Sequence, residues 1–226
     1  AVIEEKDVDF SIYEVPMMLI ESGLDQRILK HLELKPTKKL VTDDWQQLLK
    51  VDKHPQHEIT IAVTGKYIEL HDAYKSIYES LSHAGIANHC KVNLRKVSAE
   101  QVAEEGADKL LAGVDGILVP GGFGERGFEG KIASIAYARK QKIPFLGICY
   151  GMQAAVVEYA RSELGLADAT TTEYDPDANN PVISLMEEQK RTNDKGGTMR
   201  LGAFDCQLKE GTNSHRAYGS EAISER

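Results

Sequence analysis

The sequence predicts an α/β protein built on an open, mostly parallel sheet with helices on both faces. Apolar strand-like runs alternate with helix-like segments from Ile59 to about Ala160. The run at residues 143–148 is apolar throughout, which is typical of a strand that a parallel sheet buries on both faces. In such sheets, binding and catalytic sites lie outside the carboxyl ends of the strands.

Each predicted element has a local signal. The predicted strands cover residues 59–63, 91–97, 116–120 and 143–148, and the predicted helices cover 16–32, 72–85, 98–114, 129–140 and a segment after Cys149. Asp72 is suited to an N-cap, and Ser98 with Gln101 forms a Ser-x-x-Gln capping box. The inward face predicted for the last helix consists of Met152, Ala155, Val156, Tyr159 and Ala160.

Composition excludes several functional classes. With 42% hydrophobic and 27% charged residues among 226, the chain resembles ordinary soluble proteins. Its net charge of −8 argues against a nucleic-acid binder or a basic membrane-surface protein. No apolar run approaches the roughly 20 residues of a membrane span, and the charged N-terminus does not resemble a signal peptide.

Cysteine usage points in the same direction. The chain has three cysteines, Cys90, Cys149 and Cys206, an odd and widely spaced set that suggests neither a disulfide framework nor a metal cluster. We therefore expect no metal site and a cytoplasmic location.

The first part of the chain is predicted to lie outside the main domain. Residues 1–34 contain one helical pattern that is too short to fold alone, and residues 35–57 lose the apolar periodicity and are rich in charge, as expected of a linker. Residues 58–226 then form the main domain.

Cys149 is the strongest candidate for a chemical role. It stands between Gly147 and Gly151 in Gly-Ile-Cys-Tyr-Gly, where a buried strand turns into a helix. This is the spacing of a nucleophile elbow, whose small flanking residues permit a tight turn that exposes the nucleophile. The positive end of the helix dipole also favours the reactive thiolate. The alternative is a small buried residue at a strand end, which is the preferred interpretation of Cys90 and Cys206.

A glycine-rich turn follows the preceding strand. The segment at residues 120–127 contains the Gly-x-Gly-x-x-Gly spacing of dinucleotide-binding sites. That interpretation is rejected because no acidic residue ends the next strand, which runs into Cys149 instead. Beside a nucleophile, exposed glycine N–H groups suit an oxyanion hole, with Tyr150 supplying a second donor. A plain structural turn remains the alternative.

Together these residues resemble the class I, triad-type glutamine amidotransferases, and more narrowly the amidotransferase domain of the CTP synthase family. The similar segments are Gly65–Leu70, Asp72–Ser76, Pro120–Gly124, Arg126–Lys131, Gly147–Gln153, Thr172–Tyr174 and Gly196–Gly202. The order of the segments also agrees. The resemblance implies a flavodoxin-like core, and it makes residues 1–34 the end of the synthetase domain of the same chain.

The resemblance also implies roles for individual residues. Cys149 would attack the amide of L-glutamine to form a thioester, while the N–H groups of Gly122 and Tyr150 hold the oxyanion. The implied glutamine-binding residues are Gly121, Gln153 and Glu173. Phe123 would line the ammonia exit, and Gly197 and Arg200 would belong to a mobile lid.

The implied activity belongs to pyrimidine biosynthesis: ammonia from glutamine aminates UTP to CTP in a ligase reaction. The domain itself would need no cofactor, whereas the parent enzyme would use ATP and Mg²⁺, respond to GTP as an allosteric activator and form a homotetramer. The family's catalytic histidine and glutamate would lie beyond Arg226, so we expect this chain alone to hydrolyse glutamine very poorly. The alternatives are a related amidotransferase that serves GMP or anthranilate synthesis, and an inactive module that serves regulation or assembly.

Overall fold

The computed structural model describes residues 2–4, 6–186 and 202–225, apart from the side chain of His71. The chain divides into two compact units, Ala1–Asp168 and Ala169–Arg226. Within the described residues, no helix is both long and apolar enough to span a membrane.

The first unit contains a parallel sheet of four strands in the order β2-β1-β3-β4. The strands are β1 (His57–Gly65), β2 (Cys90–Ser98), β3 (Gly116–Val119) and β4 (Phe145–Gly147). Gly65 pairs with Ser98, and Val119 pairs with Gly147. The carboxyl ends of the strands therefore share one edge of the sheet, and the predicted fold class is confirmed.

Helices connect and cover these strands. They are α4 (Lys75–Ala87), α5 (Ala99–Glu105), α6 (Ala107–Leu110), α7 (Phe128–Gln141) and α8 (Tyr150–Glu163), with a 3₁₀ turn at His71–Tyr74 before α4. Helices α5 and α7 pack against each other and so lie on one face of the sheet, and the right-handed crossover rule for parallel strands then puts α4 on the other. The predicted N-cap Ser98 accepts a hydrogen bond from the Gln101 N–H. The single helix predicted after it is broken at Gly106, whose φ is 93°.

Three α-helices precede the sheet: α1 (Val15–Glu21), α2 (Leu24–His31) and α3 (Asp43–Lys53). The single helix predicted at residues 16–32 is therefore interrupted, because Gly23 adopts a left-handed conformation with φ 76°. Helix α3 lies inside the predicted linker. The indole Nε1 of Trp45 on this helix donates a hydrogen bond to the Tyr13 carbonyl at 2.7 Å, and this bond connects α3 to the N-terminal segment. The division at residues 34 and 57 stays a prediction.

The core lies between the sheet and its helices. On the α4 side, Val63 and Leu118 of the strands pack with Tyr74 and Tyr78. Burial raises the pKa of Tyr78 above its ordinary value, so its phenol stays neutral in this core. The sheet contributes to this core from its two central strands, β1 and β3.

Two predictions about burial are wrong. Strand β4 is the edge strand of this sheet and Leu146 is 56% exposed, so the run at 143–148 is not covered on both faces. The predicted inward face of α8 is rotated, since Met152, Val156 and Tyr159 are exposed whereas Ala154 and Val157 are buried; of the predicted face, Ala160 is buried as expected. The close approach of Gly151 to β3 determines which side of α8 faces the sheet. The apolar periodicity of the helix carries no information about this contact.

The second unit contains two small sheets in its described part. Strands β5 (Thr170–Thr171) and β6 (Pro181–Ile183) pair in parallel, and β7 (Phe204–Gln207) pairs with β8 (Ala222–Glu225) in an antiparallel hairpin. Helix α9 (Asn213–Tyr218) connects the hairpin strands, and Thr212 caps it by accepting the His215 N–H at 3.2 Å.

Candidate active site

Cys149 occupies a strained turn between β4 and α8. Its backbone has φ 52° and ψ −110°, a combination that few residues with a side chain adopt. Such a conformation costs on the order of 1–3 kcal/mol and persists only where the surrounding structure enforces it. The cysteine is exposed and stands at the N-cap of α8. The geometry matches the elbow that the Gly-x-Cys-x-Gly spacing predicts.

Close backbone contacts explain both flanking glycines. A Cβ on Gly147 would lie 2.7 Å from the Gly151 carbonyl group, and a Cβ on Gly151 would lie 2.0 Å from the Val119 carbonyl oxygen. That same oxygen accepts the Ile148 N–H at 3.0 Å. Only glycines let β4 turn this tightly into α8 while the turn stays attached to β3.

The glycine turn after β3 lies next to the cysteine. A Cβ on Gly121 would be 3.4 Å from the Cys149 Cβ and 4.0 Å from its Sγ, so the absent side chain leaves room beside the thiol. Among the described residues, no protein acceptor receives the Gly122 N–H. This N–H lies in a partly exposed loop and is therefore open to solvent or to a ligand.

Tyr150 anchors the glycine turn to α8. Its side chain is 1% exposed, and its hydroxyl donates to the Gly124 carbonyl at 3.0 Å. From the other side, Lys66 Nζ at the end of β1 donates to the Phe123 carbonyl at 3.0 Å. The Phe123 ring itself is 54% exposed, which leaves it available to a ligand or to another part of a larger protein.

The structure adds Lys131, to which the sequence analysis assigned no role. It lies on α7 with only 1% of its surface exposed, and its Nζ is 4.7 Å from the centroid of the Tyr150 ring. The same atom would lie 3.3 Å from a Cβ on Gly122. The available signal was a lysine inside the apolar stripe Phe128, Ile132 and Ile135 of a helix.

The remaining predicted residues are placed as follows. Gln153, in the first turn of α8, is partly buried and donates its N–H to the Cys149 carbonyl at 3.1 Å. Glu173 belongs to the second unit, in the turn after β5, where its N–H is bonded to Thr171 Oγ1 at 3.2 Å. The predicted lid residues Gly197 and Arg200 lie outside the described residues.

Across residues 2–4, 6–186 and 202–225, no hydrogen bond joins a histidine to Cys149. His83, for example, has its Nε2 2.6 Å from the Tyr13 hydroxyl, in the N-terminal part of the chain.

Comparison of the sequence with known protein families assigns the chain to one of them. The profile of the family described as Glutamine amidotransferase class-I matches residues 69–223. The chain belongs to this family.

Proteins named CTP synthase match this chain over its full length. A CTP synthase from Caldanaerobacter subterraneus subsp. tengcongensis is 50% identical over 226 residues, which is 100% of this chain and 42% of the relative. A CTP synthase from Fibrobacter succinogenes is 52% identical over 227 residues, again 100% of this chain and 39% of the relative. The chain thus spans about two fifths of the length of these relatives.

A solved class I amidotransferase structure is also similar. It is described as the Trypanosoma brucei CTPS glutaminase domain with bound acivicin, and it superposes with a TM-score of 0.63 at 35% identity. The match covers 74% of this chain and 65% of that one. The likeness extends to both the sequence and the fold.

The arrangement is suited to acyl transfer through a thiol. An exposed sulfur at a helix N-terminus is accessible to a carbonyl carbon, and neighbouring backbone N–H groups can receive the charge that develops on the carbonyl oxygen. The Gly121 side of the thiol is open, so a planar amide can approach it.

Proposed function

We propose that the chain is the glutamine-hydrolysing domain of a CTP synthase, with Cys149 as the nucleophile. The observation that carries the proposal is the elbow at Cys149, with φ 52° and an exposed thiol beside Gly121. Its support is the 50% identity to CTP synthases over the full 226 residues.

The proposed reaction has two steps. The Cys149 thiol gives its proton to a base, which the resemblance assigns to a catalytic histidine of the parent enzyme, and the thiolate attacks the side-chain amide carbon of L-glutamine. The C–N bond then breaks, and the same base returns that proton to the nitrogen, which leaves as ammonia. Water then attacks the resulting γ-glutamyl thioester, which releases glutamate and regenerates the thiol. The N–H groups of Gly122 and Tyr150 stabilise the oxyanion in both steps, a contribution of roughly 10²–10³ in rate for each donor.

Other residues hold the substrate in this proposal. Gly121, Gln153 and Glu173 bind glutamine, and the carboxylate of Glu173 suits the α-ammonium group of the substrate. Phe123 lies where ammonia leaves. Gly197 and Arg200 belong to the lid that closes over the site.

The rest of the proposed activity belongs to the parent enzyme. Ammonia passes to the synthetase domain of the same chain, which aminates UTP to CTP with ATP and Mg²⁺ as a ligase, in the cytoplasm. GTP activates the enzyme, and a homotetramer is its assembly. The amidotransferase domain itself requires no cofactor, since thioester chemistry needs only the thiol, a base and water.

The test compares nitrogen donors in the full-length enzyme. We expect Cys149→Ala to abolish CTP formation from glutamine and to leave CTP formation from ammonia unchanged, because only the first needs the thiol. Cys206→Ala is the control, since it removes another exposed thiol that lies outside the elbow.

Two results would contradict the proposal. Glutamine-dependent synthesis that survives in Cys149→Ala would make the cysteine structural. A native enzyme that uses ammonia but never glutamine would instead support an inactive amidotransferase-like module that serves regulation or assembly.

A further inference from the structure

We propose that Lys131 is a positioning residue for the oxyanion donors, acting through the side chain of Tyr150. This inference rests on the proposed glutaminase function, and it deepens that function by adding a residue that touches neither the substrate nor the thiol. Lys131 is an unusual occupant of its position, because lysines are rarely buried and α7 holds this one at 1% exposure.

The first step is the contact between the cation and the ring. Lys131 Nζ lies over the Tyr150 ring at 4.7 Å from its centroid, a geometry in which the ring quadrupole attracts the ammonium group. Phe128, fully buried on the same helix, contacts the ring as well, with centroids 5.5 Å apart. Helix α7 therefore holds the Tyr150 ring with a charge and with an aromatic neighbour.

The second step is the hydrogen bond from Tyr150 to the glycine turn. The hydroxyl donates to the Gly124 carbonyl at 3.0 Å, two residues after the proposed donor Gly122. The backbone N–H of Tyr150 is the other proposed donor. One side chain thus connects the two halves of the oxyanion hole, and its orientation determines their separation.

The third step is the contact between Lys131 and the turn itself. A Cβ on Gly122 would be only 3.3 Å from Lys131 Nζ, so the ammonium group lies directly against the turn. A methionine would fill the same volume without the cost of burying a charge. The charge therefore has to be explained by interactions of the ammonium group rather than by packing, and its contacts with the ring and the turn are two of them.

The experiment measures glutamine hydrolysis by the full-length enzyme and its Lys131→Met, Tyr150→Phe and double variants. We expect kcat to fall about tenfold in each single variant with KM within about twofold, since small misplacements of catalytic groups cost rate more than binding. Because both changes break the same connection, the double variant should be no slower than the slower single variant. Lys140→Met, an exposed lysine on the same helix, should match the native enzyme.

The outcomes separate this inference from the function on which it rests. CTP synthesis from ammonia should be equal in all variants, which reports an intact fold. If Lys131→Met keeps native kcat, if it raises KM alone, or if the two single effects multiply, the positioning role is overturned. If Cys149→Ala keeps glutamine hydrolysis, the proposed function fails and this inference fails with it.

Discussion

A methyl group added at Gly151 tests whether the close approach of α8 to β3 holds the elbow together. The new Cβ would lie 2.0 Å from the Val119 carbonyl oxygen and 2.8 Å from the Val119 carbonyl carbon. Ordinary contacts of this kind need about 3.5 Å, so the start of α8 must move away from β3 by about 1.5 Å. Both partners are backbone, and neither can rotate out of the way.

Two opposing effects determine the change in the free energy of unfolding. Alanine in place of glycine within a helix stabilises by about 1 kcal/mol when nothing obstructs it. Forced overpacking of a buried contact costs about 3 kcal/mol. We therefore expect Gly151→Ala to destabilise the protein by about 2 kcal/mol, which lowers Tm by about 4–8 °C for a domain of this size.

The activity should fall further than the stability. The Val119 carbonyl also accepts the Ile148 N–H, which keeps the residue before Cys149 attached to β3, so a displacement of α8 has to be absorbed at Cys149 itself. A misplacement of about 1 Å lowers the rate by about 10²-fold. Calorimetry and glutamine hydrolysis measure the two effects separately.

The control is Gly202→Ala, because a Cβ there would meet no atom within 4 Å and the backbone does not have positive φ. Its Tm should remain within about 2 °C of the native value. A Gly151→Ala variant that is as stable and as active as this control would show that the turn tolerates a wider separation, and the account of the elbow would be wrong.

Two further predictions concern stability. Arg139 donates three hydrogen bonds of 3.0–3.1 Å to the buried Glu158 carboxylate, so Arg139→Met should lower Tm by about 10 °C. The control Lys109→Met removes an exposed ion pair and should lower Tm by about 2 °C or less. Equal shifts of Tm in the two variants would contradict the role of burial. Burial, and secondarily Glu79, raise the pKa of Tyr13 above its ordinary 10.0. Stability from this hydroxyl is therefore present below about pH 10 and is lost as the pH rises through the folded-state pKa, so urea midpoints at about pH 8 and 11 should differ less in Tyr13→Phe than in the native protein. Equal differences in the two proteins would refute the assignment.

The parallel sheet could be predicted from the sequence because apolar runs that alternate with helical segments are typical of strands joined by helices. The predictions of burial were wrong where burial depends on the packing of other segments of the chain. Leu146 belongs to an apolar run but lies on an edge strand, and the inward direction of α8 follows from the contact between Gly151 and Val119. Neither an edge nor a contact between distant segments is encoded in local periodicity.

The elbow and the glycine turn could be predicted since each is a short pattern with a fixed geometric meaning. The connection between them could not. Lys131 and Tyr150 are 19 positions apart and meet only because α7 and α8 pack together. Burial of the lysine became visible only in three dimensions, although its place in an apolar stripe was a usable hint.

The backbone at Cys149 has an evolutionary consequence. With φ at 52° and ψ at −110°, the turn alone would be more stable with glycine at position 149. A cysteine in this conformation lowers the stability of the protein that contains it. Selection on folding alone would not favour a cysteine at this position, whereas the proposed role of Cys149 as nucleophile requires one.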